Sequence, residues 1–226
     1  MRPIITRISV LAASLMLISS FVSAQSVVYQ HDFGTTTITG NPYTVAPSTL
    51  DANLSSSSWA TSSASFTSFA GSSGQALSIN NSSGTPTYTL TFNVASGYTL
   101  DIASISFWRQ RSTSGAQNWS MTINGGSTVA SGTVPTSGAN TGNQTISGYT
   151  GLSGTVTIVL NLSGASGTGT FRLDDFTING TVSSSGPLPE PSNHVTSLSC
   201  TPVSGSQLDL SWTDAAGPNN ATAYLV

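Results

Sequence analysis

Two adjacent carboxylates, Asp174 and Asp175, sit inside "FRLDDFTING" (171–180), the most charged stretch of a chain in which only 6 % of residues carry charge. Such a pair can act as general acid and base, as hard oxygen ligands for a cation, or as fixed charges within the architecture. Acid/base work needs both groups across a substrate cleft, with their pKa values pushed apart. Neighbours on one strand point to opposite faces and do not meet that need. The phase of the strand says more. Phe171 and Leu173 share one parity, while Phe176 and Ile178 share the other. The apolar face changes side at the Asp pair, which predicts a β-bulge there. It also predicts one carboxylate within salt-bridge reach of Arg109 or Arg172.

"ISFWRQR" (105–111) holds the second set of reactive side chains. Ile105, Phe107, Arg109 and Arg111 share a parity; Ser106, Trp108 and Gln110 share the other. If Ile105 and Phe107 face a core, Arg109 heads inward and needs a counter-charge, because an unpaired buried guanidinium is costly. Trp108 then faces outward. A flat indole beside Gln110 and Arg111 is the chemistry of a sugar-binding platform: the apolar face of a pyranose stacks and polar neighbours fix its hydroxyls. The competing reading covers Trp108 with a loop or a second sheet. Trp119 shares parity with Met121 and Ile123 and is expected in the core, whereas Trp59 suits either environment. His31 and His194 are the only histidines. A Ser-His-Asp triad on His31 would need an acid folded against it, and Asp32 falls on the opposite strand face.

These side chains must be positioned by strands. From Val27 to Val182, Ser-Gly, Asn-Gly and Gly-Gly turns separate runs of period two. The runs are 27–33, 76–80, 87–94, 98–111, 118–125, 154–163 and 169–182. No window of comparable quality has helical periodicity. Short strands rich in Thr, Val, Ile and aromatics predict an all-β, antiparallel sandwich.

Composition excludes several functions. The chain has no lysine and one glutamate, Glu190, and its net charge is −3. With no basic surface to neutralise phosphates, nucleic acid is excluded as a partner. Residues 1–24, "MRPIITRISVLAASLMLISSFVSA", have two arginines, a short apolar run and small residues before Gln25, the pattern of a secretory signal peptide. That apolar run is about half the roughly 20 residues needed to cross a bilayer, and no later stretch could span a membrane. A secreted or cell-surface protein is expected. The single cysteine, Cys200, excludes an internal disulfide framework.

"SSSGPLPEPS" (183–192) reads as a stiff linker between domain 25–182 and a second unit at 193–226. That unit, with Pro191, "VTSLSC", "QLDLSW" with Trp212, and "AYLV" with Tyr224, resembles the opening of a fibronectin type III domain. The resemblance covers well under half such a domain, so the chain is expected to be the front of a longer protein and the 193–226 segment to be protease-sensitive. "SISFWRQRSTSGAQNWSMTING" and "GTGTFRLDDFTINGTV" are similar to jelly-roll modules of large exported bacterial proteins. The resemblance implies a jelly-roll sandwich and a non-catalytic binding or adhesion role, with a polysaccharide or cell-surface glycan as partner. The alternative it leaves open is the accessory front end of a secreted hydrolase. Carbohydrate-binding jelly rolls often carry a structural calcium between the first and last strands. Asp32, Asp174 and Asp175 are the carboxylates in the matching places, and calcium tolerates such irregular oxygen sets.

Overall fold

A computed structural model describes residues 25–186, 196–204 and 207–213. The expected leader, most of the expected linker, and His194, Tyr224 and Val226 lie outside the described residues. The strands in chain order are β1 (Ser26–His31), β2 (Thr39–Gly40), β3 (Thr49–Leu50), β4 (Leu54–Thr61), β5 (Phe66–Ala70), β6 (Gln75–Ile79), β7 (Thr87–Val94) and β8 (Tyr98–Arg111). They continue as β9 (Asn118–Ile123), β10 (Thr128–Thr133), β11 (Ala139–Asn140), β12 (Gln144–Thr145), β13 (Gly154–Ser163) and β14 (Phe171–Ser184), then β15 (Thr196–Ser204) and β16 (Gln207–Thr213).

The first fourteen make an antiparallel, jelly-roll-type sandwich of two sheets. One runs β11-β8-β14-β6-β5-β2, with β1, β3 and β12 attached; the other runs β10-β9-β13-β7-β4. Strict alternation builds the second sheet: in β7 each buried residue follows a half-buried one, so Tyr88, Leu90 and Phe92 point inward. β13 answers with Val156, Ile158, Leu160 and Leu162. From the first sheet, Phe176 meets Trp59 edge-on at 4.9 Å between ring centroids and stacks near Phe107 at 6.0 Å. Burial of each such side chain contributes roughly 1.5–3 kcal/mol.

Besides the two-residue strands β2, β3, β11 and β12, three longer strands appear where the sequence predicted none. β4, β5 and β10 are rich in serine, threonine and glycine, so their outward positions resemble loop. Trp59 lies in β4 and is core; its Nε1 donates to Tyr29 Oη at 3.0 Å, and that hydroxyl is in turn 2.9 Å from Ser57 Oγ. That partner offsets the cost of taking the indole N–H out of water. Trp119 is core as expected, against Phe107. β1 stops at His31, two residues before the expected end, because Phe33 and Gly34 turn into left-handed backbone (φ 53° and 64°).

Beyond the sandwich, β15 and β16 pair as an antiparallel hairpin with Cys200 opposite Leu210 and exposed. No helix among the described residues is long and apolar enough to cross a membrane.

Candidate functional site

The bulge lies where the phase argument put it. Asp174 pairs with Trp108 and Thr177 with Ser106, so three steps on β14 oppose two on β8. Asp175 absorbs the extra residue with φ of 49°. Asp174 stays on the outer face of the larger sheet yet is fully buried, because the turn at 71–74 folds over it. Its Oδ2 accepts from the backbone N–H groups of Ser72 and Ser73 at 2.8 and 3.3 Å, and Oδ1 accepts from that of Asp175 at 2.8 Å. Gly71 is obligatory there, since a Cβ would collide with Asp174 Oδ2. Burial pushes the Asp174 carboxyl up to about 6, against the amide bonds that favour the anion.

The expected ion pair does not form among the described residues. Arg109 donates instead to the carbonyls of Thr133 at 3.1 Å and Ala139 at 2.7 Å. Near the end of β8 the guanidinium thus bridges the neighbouring β11 and the last residue of β10, and partial burial lowers its pKa. Arg111 is likewise a strut: it bonds the carbonyls of Val134, Ser112 and Thr113 and does not join Trp108. The parity that separated Arg111 from Trp108 was visible in the sequence, and it excludes Arg111 from the outer face.

What does gather on that face is a band of residues from β8, β14 and β5, with β6 between the last two. Trp108 and Gln110 project from β8, and Arg172 sits opposite Gln110 on β14. Arg172 Nη1 donates to Gln110 Oε1 at 3.1 Å and to the carbonyl of Ala70 at 3.2 Å. Its guanidinium lies 4.8 Å from the centre of the Phe69 ring of β5. Gln110 Nε2 is anchored on the carbonyl of Thr136 at 2.8 Å. Trp108 is half-buried, its benzo edge laid against Gly138, whose φ of 75° and missing Cβ allow that approach. The loop therefore braces the indole rather than sealing it. Phe69 and Arg172 were missed as site residues. Phe66 and Phe69 are three apart and so face opposite ways along a strand, a signal that required recognising β5.

The three candidate metal ligands are not equivalent. Amide protons occupy the Asp174 oxygens, so Asp174 does not fit a cation. Asp32 is exposed and uses Oδ1 to accept from Gly34 N at 3.2 Å. The Asp175 carboxylate has no hydrogen-bond partner among the described residues. No group of three or more His, Cys, Asp and Glu side chains converges among them. His31 is buried, with Nδ1 accepting from Phe33 N at 3.0 Å and Nε2 at 3.1 Å from the carbonyl of Val45. Burial lowers its pKa, and this neutral imidazole has no free nitrogen for a triad.

No family model matches the chain, and no curated protein matches it. Among solved structures, similarity is found to a family 11 carbohydrate-binding module from Clostridium thermocellum in complex with a β-1,3-1,4-mixed-linked tetrasaccharide. That match has 15 % identity and a TM-score of 0.33, over 68 % of this chain and 96 % of that one. The family 11 module of the cellulase Lic26A-Cel5E of the same organism matches at 14 % identity and a TM-score of 0.33, over 70 % and 95 % of the two chains. TmCBM61 in complex with β-1,4-galactotriose matches at 14 % identity and a TM-score of 0.27, over 53 % and 80 %.

Proposed function

We propose that the sandwich is a non-catalytic glycan-binding module of an exported protein, reading polysaccharide on the outer face of its larger sheet. The observation that carries this is the band Trp108–Gln110–Arg172–Phe69. It sets the half-buried Trp108 indole beside a hydrogen-bonded amide and guanidinium, the latter propped on the Phe69 ring. Sugar rings need apolar surface beneath the ring and donors and acceptors at its rim, and the band offers both. The residues are held before any ligand arrives, which limits the ordering cost of binding.

Affinity electrophoresis of the wild type and Trp108→Ala against soluble β-glucans, galactans and xylans tests the proposal. At least one polymer should retard the wild type, and Trp108→Ala should weaken that binding about tenfold or more, in keeping with roughly 1.5–3 kcal/mol for a lost buried aromatic contact. Retardation equal in the two proteins, or absent from the wild type throughout, would overturn it. Two further proposals rest on sequence: a fibronectin type III identity for 193–226, and a structural calcium, now confined to Asp32, Asp175 and nearby carbonyls.

A further inference from the structure

At the C-terminal end of β1, where His31 pairs with Phe176 of β14, lies a cavity of ≈360 Å³ that the platform residues do not line. It falls within the roughly 300–1,000 Å³ of small-molecule sites. His31, Phe33 and Tyr43 give it an aromatic wall, with His31 stacked on Phe33 at 4.3 Å and Tyr43 5.8 Å from Phe33. Val45, one of two exposed large hydrophobic residues among those described, stands at its rim with Thr36, Thr37 and Asp32.

The polar groups here are unspent. Tyr43 is 8 % exposed, yet among the described residues its hydroxyl has no hydrogen-bond partner; only its backbone is engaged, with Trp59. Asp32 gives Oδ1 to Gly34 and keeps Oδ2. Burial and the nearby Asp32 charge both hold the phenol in its protonated, donating form. The loop that presents these groups is shaped by left-handed backbone at Phe33, a non-glycine residue, and strain of that kind concentrates at ligand-binding sites.

We propose that this cavity binds a single sugar unit, such as the terminal residue of a glycan chain. Asp32 would accept from vicinal hydroxyls, Tyr43 Oη would donate to a third oxygen, and the exposed Val45 would meet the apolar ring face. A neutral, hydroxyl-rich ligand fits because the lining offers one carboxylate and no cation. The inference extends the glycan-binding reading but uses different residues, so the two fail separately.

The test is calorimetric titration with methyl β-glucoside, methyl β-galactoside and methyl α-mannoside in the presence of chelator, on the wild type, Tyr43→Phe, Asp32→Asn and Trp108→Ala. One glycoside should bind the wild type saturably, Tyr43→Phe and Asp32→Asn should each weaken it about tenfold, and Trp108→Ala should leave it unchanged. Tyr43→Phe keeps the ring and should keep the melting temperature, which separates lost binding from lost folding. No saturable binding of any of the three, binding by Tyr43→Phe equal to wild type, or binding that appears only when calcium is restored would each overturn the proposal.

Discussion

Asp174 shows how one side chain can be mistaken for chemistry. It is a buried carboxylate on an outer face, roofed by a turn and satisfied by three amide N–H groups. Its folded-state pKa of about 6 lies above the ordinary 3.8, because burial opposes the charge. A group raised in this way adds stability that is complete below its unfolded pKa and is lost as pH rises through the folded one. The wild type should therefore become more stable as pH falls from 7 towards 5, and Asp174→Asn should lack that gain. Asn also replaces an acceptor with a donor facing an amide, so it should cost about 1–3 kcal/mol at neutral pH. Denaturant melts of the two proteins across that pH range, with metal removed, decide it; parallel pH profiles would show that the carboxyl does not titrate there.

The bulge in β14 works at the scale of the strand. Phe171 and Leu173 point inward, then Asp174 outward; with Asp175 taken up as the extra residue, Phe176 and Ile178 again point inward. Removing Asp175 restores plain alternation and leaves every apolar residue on its proper side. Removing Thr177 turns Ile178 outward and drives Asn179 into the core, where its amide finds no partner. The deletion of Asp175 should still fold, with a lowered melting temperature from the lost Asp175 N–H bond to Asp174. The deletion of Thr177 should abolish the cooperative melt. Circular dichroism of the two variants checks this, and equal damage would mean that the bulge does not set the phase.

Across the whole sandwich, its first strand closes against its last: β1 runs antiparallel to β14, with His31 opposite Phe176. Asp32 and Asp175 thus follow and precede that paired position. A cation held between them would tie the two ends of the sandwich together and would stabilise only the folded state. The calcium proposal accordingly predicts a fall in melting temperature in excess chelator, reversed by added calcium. An identical melt with and without chelator removes calcium and leaves the glycan reading intact.

Period-two runs were enough to determine the sandwich, because alternation in β7, β8, β13 and β14 admits one buried face and one partner geometry. The phase switch at Asp174–Asp175 was legible for the same reason, as was the outward aim of Trp108. The sequence could not show β4 and β5, whose serines and threonines read as loop until a neighbouring sheet supplies hydrogen bonds. It therefore could not bring Phe69 beneath Arg172. Nor could it choose a partner for Asp174, because a backbone amide at Ser72 carries no signature in residue type. Counter-charges were inferred from the letters Arg and Asp; the fold satisfied both with main-chain groups, which are present at every position and are placed only by tertiary structure.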